Sequence, residues 1–159
     1  AESLCFDFFR QFKTHIKVAR IFNTYGPRMS VFDGRVISNF IVQTLENNPI
    51  TIYGEGQQTR SFCYVDDLID GLVLLMNSNI QGPINLGNPR ELKIIDLAKK
   101  IRSKINPNVK LIKQKLPQDD PLRRKPNIEL AISELKWSPK ISINDGLDKT
   151  ITYFKKKLN

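Results

Sequence analysis

The sequence predicts an α/β fold, and three features carry that expectation. Short apolar runs of strand length alternate with longer segments of helical rhythm. Clusters of Gly, Pro, Asn and Asp separate them and mark turns. The chain of 159 residues, 40% hydrophobic and 26% charged, is long and apolar enough for a real core.

The elements follow in order. "AESLCFDFFRQF" reads as a helix over about 1–13, with Ala1, Leu4, Cys5, Phe8 and Phe12 on one stripe and Phe6 and Phe9 off it. A helix apolar on two sides is expected to be buried on two sides. A strand over about 17–22 runs into the turn "NTYGPR". A helix over about 35–47 puts Val36, Ile37, Phe40, Ile41, Thr44 and Leu45 on one face. "PITIYG" and "SFCYV" are short strands joined by the loop "EGQQTR". Asp66 or Asp67 is placed to cap the helix "LIDGLVLLMNS", since a carboxylate there accepts orphan amides. "PINLGN" is a strand ending in a turn, and a helix over about 92–105 turns Ile94, Leu97, Ala98, Ile101 and Ile105 inward. "VKLIKQKL" alternates as a strand, "PQDDPLRRKP" is a loop, and helices over about 127–135 and 143–157 close the chain.

Composition excludes several classes. No apolar run approaches the roughly 18 residues of a membrane span, and no cationic segment leads into an apolar one as in a signal peptide. Cys5 and Cys63 are too far apart for a CxxC pair or a metal knuckle; both read as reduced core thiols, which points to the cytoplasm. The net charge of +9 permits an anionic partner. Much of it is lysine on helix faces, as in "LAKKIRSKI", without the interleaved aromatics of a nucleic-acid groove. Neither nucleic acid nor membrane is expected as a partner.

Three loops that follow strands carry polar groups: "FNTYGPR", "IYGEGQQTRSF" and "DDPLRRKP". In α/β folds such loops gather at one edge of the sheet. Each has a plain structural alternative. Asn23 suits holding its turn, the "GEG" a hairpin, Arg60 a surface ion pair, and Arg123 and Arg124 pairing with Asp119 and Asp120. Together the loops bring arginines but no catalytic array. His15 is the single histidine, at an expected helix end, and suits solvent rather than chemistry. Guanidinium forks on converging loops suit a phosphate or diphosphate, and Tyr53 suits stacking on a base. The residues alone lead to an anion or nucleotide-diphosphate site.

"RIFNTYGPRM", "DGRVISNFI", "ITIYGEGQQTRSFCYVDDLIDGLVLLM", "GPINLGNP" and "DDPLRRKPNIELAISELKW" resemble the C-terminal part of the extended short-chain dehydrogenase/reductases that act on nucleotide sugars. The likeness is greatest to the UDP-glucuronate decarboxylase branch, which forms UDP-xylose, and spans essentially the whole chain. UDP-glucose 4-epimerase and dTDP-glucose 4,6-dehydratase fragments are the related alternatives, and a non-catalytic UDP-sugar-binding module is the alternative outside the enzymes. The resemblance implies the last strands of a Rossmann-type sheet in residues 1–34, with residues 83–87 as a further strand of it, and a mainly nucleotide-sugar-binding subdomain in residues 35–159. It implies bound NAD, a UDP-sugar ligand and a homodimer for the complete enzyme. The family's Gly-rich NAD loop and Tyr-x-x-x-Lys pair have no counterpart here, so the chain alone is expected to be inactive. The match of Tyr153 and Lys157 to that pair reads as chance, at the end of a lysine-rich helix. By residue, the resemblance gives Asn23, Tyr53, Arg60 and Arg124 to the substrate, and Thr24 and Arg35 to the cofactor side.

Overall fold

The computed structural model describes residues 1–115 and 123–158. Its strands form small sheets stitched by helices, in the expected α/β class. β1 (Ala19–Ile21) pairs in parallel with β6 (Ile84–Leu86), with Ala19 opposite Ile84 and Ile21 opposite Leu86. β2 (Thr24–Tyr25) pairs in parallel with β5 (Cys63–Tyr64), and β3 (Ile50–Tyr53) with β8 (Leu111–Gln114). β4 (Thr59–Ser61) lies between β7 (Glu91–Lys93), antiparallel, and β9 (Arg123–Arg124), parallel.

Two apolar clusters hold these pieces. The larger joins α2 (Val36–Leu45), β3, α4 (Ile94–Ile105) and α6 (Ile143–Leu158), through Ile37, Phe40, Ile41, Ile52, Leu97, Ile101, Leu147 and Phe154. The smaller packs α3 (Val65–Met76) and α5 (Glu129–Leu135) on β6, through Leu68, Leu75, Ile84, Leu86, Leu135 and Trp137. At Gly71 the helix comes so close to Trp137 that an added Cβ would lie 2.9 Å from the indole.

Several expectations are corrected. "SFCYV" is not one strand: it breaks at the buried Phe62, leaving β4 and β5 in separate sheets. The segment 91–93 is a strand, since its backbone completes the edge of β4 before α4 begins. Neither Asp66 nor Asp67 caps α3, whose N-cap is Tyr64 with no side-chain bond. The buried Asp67 carboxylate instead accepts the backbone amides of Lys140 and Ile141 at 3.0 Å each, and its carbonyl takes the Trp137 indole N–H at 2.9 Å. A buried carboxylate needs such donors, and these lie across the fold on the approach to α6.

α1 (Glu2–Phe12) forms where expected but buries none of its residues. Cys5 is exposed on it and so is not a core thiol; Cys63 is buried as expected, and both are free. The alternating strand 109–116 is observed as β8 alone; Leu116 and the loop residues 117–122 lie outside the described residues. Among the described residues no helix is long and apolar enough to cross a membrane.

Candidate nucleotide-sugar site

β1 delivers the chain to the site. The Phe22 amide continues its ladder to the Leu86 carbonyl at 3.0 Å, and Asn23 follows. The side-chain amide of Asn23 donates to the Ser61 carbonyl at 3.2 Å, while its own carbonyl accepts the Cys63 amide at 2.8 Å. Asn23 thus splices β1 to the β4–β5 junction across the fold, through Ser61 and Cys63, rather than bracing its own turn. Thr24 Oγ1 donates back to the Phe22 carbonyl at 2.8 Å. The next turn needs glycine by proximity, since a Cβ on Gly26 would lie 2.5 Å from Val65 Cγ1.

These residues wall a cavity of about 120 Å³. Asn23, Thr24, Arg35 and Arg60 contribute its polar groups, and Met29, Ile37 and Phe62 are among its apolar ones. Beyond Arg35 a second hollow of about 240 Å³ is lined by Gly26, Pro27, Arg28 and Val65, and Thr24, Tyr25 and Arg35 border both. Four of the six residues singled out in the sequence therefore converge from three distant segments.

Arg60 is half-buried and donates from Nη1 to the Thr59 carbonyl at 2.8 Å. Arg124 is its register partner on β9, exposed, with its carbonyl accepting Ser61 Oγ at 3.4 Å. That pairing puts two arginines side by side, Arg60 on the central strand and Arg124 on the edge strand. Asp119 and Asp120, the expected partners of Arg123 and Arg124, lie outside the described residues. Tyr53 ends β3 at 46% exposure, outside the walls of the cavity. Its carbonyl accepts the Gln58 side-chain amide at 3.0 Å, which folds the "GEGQ" loop back on it.

Tyr25 sets the wall between the hollows. It is buried edge-on to Phe62 and Tyr64, and burial raises its phenol above the usual range, with Cys63 adding to the effect. A phenol held neutral in this way packs and donates but does not act as a base. Burial likewise pushes the Cys63 thiol up to about 12. His15 is exposed and lines neither hollow, and among the described residues no group of His, Cys, Asp or Glu could hold a metal.

The sequence did not single out the apolar residues Met29, Ile37 and Phe62, nor Asp33, which grips Arg35. Asp33-Gly34-Arg35 carried the signal: opposite charges flanking a turn glycine.

The sequence profile of the NAD dependent epimerase/dehydratase family matches residues 1–87, more than half of the chain. The chain belongs to this family. Among curated members it is 49% identical over 158 residues to UDP-glucuronic acid decarboxylase 1 of Xenopus tropicalis, covering 99% of this chain and 38% of that protein. It is 48% identical to UDP-glucuronic acid decarboxylase 3 of Arabidopsis thaliana, covering 100% of this chain and 46% of that one. The chain thus spans less than half the length of these family members. Solved family structures superpose closely. The Thermotoga maritima UDP-glucose 4-epimerase with UDP-glucose gives a TM-score of 0.94 at 26% identity over 99% of this chain and 52% of its own. The Bacillus cereus UDP-glucuronic acid 4-epimerase with UDP-glucuronic acid and NAD gives 0.89 at 31% identity, over 98% and 50%.

Proposed function

We propose that this chain is the UDP-sugar-binding part of a UDP-glucuronate decarboxylase, the enzyme that makes UDP-xylose. The observation that carries the reading is the convergence of Asn23, Thr24, Arg35 and Arg60 on one cavity, with Arg124 beside Arg60 in register. Identity of 46–49% to decarboxylases along essentially the whole chain names the branch.

In this reading Arg60 and Arg124 grip the diphosphate or the uridine ribose, offering permanent charge and paired donors. Tyr53, exposed at the end of β3, packs on the uridine. Asn23 offers its amide to the phosphate or the sugar. NAD, when bound, would supply reversible hydride transfer at C4 of the sugar. This chain offers Thr24 and Arg35 to it: a hydroxyl and a cation on the shared wall of the two hollows fit the polar end of a dinucleotide. Residues 1–34 and 83–87 are the end of the NAD-binding part, and residues 35–159 are mainly the sugar-binding part; the parallel pairing of β1 with β6 supports this division. The complete enzyme is a cytoplasmic homodimer, a reading supported by two free cysteines and by the uncovered apolar side chains of α1.

The second reading is a 4-epimerase, favoured by the TM-score of 0.94 to the Thermotoga maritima enzyme. The lower identity to the epimerases places it second. The test is the complete enzyme with UDP-glucuronate and NAD. Carbon dioxide release with UDP-xylose as product is expected; an epimerised UDP-hexuronate without carbon dioxide selects the second reading. Arg124→Ala should weaken substrate binding by about 1.5–3 kcal/mol, the range for a hydrogen bond to a charged group, with Arg124→Lys restoring part of it. The 159-residue chain alone should release no carbon dioxide.

A further inference from the structure

Arg35 stands in the wall between two hollows, yet a side chain 56% exposed on an irregular segment has no intrinsic reason to stay there. The structure shows what holds it. Asp33 takes the guanidinium side-on: Oδ2 accepts Nε–H, and Oδ1 accepts Nη2–H at 2.9 Å. The Thr24 carbonyl takes a hydrogen of Nη1 at 3.4 Å. The guanidinium has five N–H donors in a fixed plane. Asp33 occupies the Nε side, so its grip leaves the end of the guanidinium, where the two terminal nitrogens can together meet a carboxylate or phosphate, pointing away from it.

We infer that Asp33 is a positioning residue: it clamps the inner edge of Arg35 so that the outer pair of donors is presented to an anionic ligand at the junction of the two hollows. The inference rests on the reading of this cavity as the UDP-sugar and cofactor site. Two observations support it further. Asp33 is only 19% exposed, and its backbone amide donates to the Ser30 carbonyl at 3.2 Å, which ties it into its own turn. The Arg35 hydrogen bond also keeps the Asp33 carboxyl below the usual carboxylate range, so it is ionised whenever the site works near neutral pH. The pair lies too near the surface to matter much for stability, which makes a role in binding separable from a role in folding.

The experiment uses the complete enzyme as wild type, Asp33→Asn, Arg35→Gln and the double variant. Dissociation constants for UDP-glucuronate and for NAD are measured by calorimetry, with a thermal melt of each protein. Asp33→Asn should weaken whichever ligand Arg35→Gln weakens, by about tenfold, the scale of one charge-assisted bond. The double variant should bind within about twofold of Arg35→Gln alone, because Asp33 acts only through Arg35. The melts should coincide with wild type, and Asp33→Glu, which keeps the charge, should recover part of the loss. Wild-type binding by Asp33→Asn, additive losses in the double variant, or no effect of Arg35→Gln on either ligand would overturn the inference. If the wild type binds neither ligand, the functional reading fails instead. The clamp is then judged by the Arg35 Nε–H resonance: slow solvent exchange in wild type and fast exchange in Asp33→Asn support it, and equal exchange refutes it.

Discussion

α1 and α6 are both amphipathic helices, and they meet opposite fates. α6 seats Leu147, Ile151 and Phe154 in the larger cluster and leaves Lys155, Lys156 and Lys157 outside. α1 carries more aromatic surface and buries none of its residues: Leu4 is 60% exposed and Phe12 62%. It is tied to the rest by the forked pair of Arg20 with Glu2 at 2.7 Å on each arm, with Phe6 and Phe9 partly covered. The contrast teaches that helical rhythm reports an apolar face and says nothing of what covers it. In this chain the larger cluster is a finished core, and the apolar face of α1 lies uncovered.

The sharpest test of the contrast uses one residue type in two places. Phe154→Ala should cost about 3–5 kcal/mol by denaturant unfolding, the range for emptying a buried aromatic site. Phe12→Ala should leave the midpoint unchanged or raise it. Equal losses would mean that α1 is packed in solution and the comparison fails.

Polar anchors should divide in the same way. Asp67→Ala removes a buried carboxylate from two amides and should cost about 1.5–3 kcal/mol. Glu2→Ala breaks an ion pair open to water and should leave the unfolding curve in place.

A third expectation concerns association. The uncovered side chains Leu4, Phe8 and Phe12 should make the 159-residue chain self-associate, and Phe8→Ser with Phe12→Ser should return it towards a monomer on size exclusion. An unmodified chain that elutes as a monomer and melts in one sharp transition above about 60 °C would contradict this.

The smallest effect lies in the cysteines. Iodoacetamide at pH 8 should label Cys5 and spare Cys63 until the chain is unfolded. Because burial raises the Cys63 thiol from 9.0 to about 12, the unfolded chain loses that proton first. Its contribution to stability is complete below pH 9.0 and is lost as the pH climbs towards 12.

What the sequence made legible follows the same division. Helices with one apolar face and lysines opposite, such as α4, were plain because period and burial agree. Asn23 and Arg60 were visible because polar groups beside strand ends in an α/β chain gather at one edge, whereas Thr24 and Arg35 came from the family resemblance alone. Tyr53 was legible as a strand end but not as lying outside the cavity, since that depends on where the next loop folds. Asp67 looked like a helix cap because capping is a local pattern, and its true partners at 140 and 141 are distant in sequence. The split of "SFCYV" was hidden because an apolar run does not reveal which of two sheets each half joins. Asp33 was overlooked since its task is to hold another residue.

The proposed site suits a nucleotide diphosphate rather than the cofactor as a whole. The direct test is calorimetric titration of the 159-residue chain with UDP, UDP-glucuronate and NAD under one set of conditions, with Arg60→Ala as control. UDP and UDP-glucuronate should bind more tightly than NAD, and Arg60→Ala should weaken both UDP ligands. Tighter binding of NAD than of UDP would contradict it.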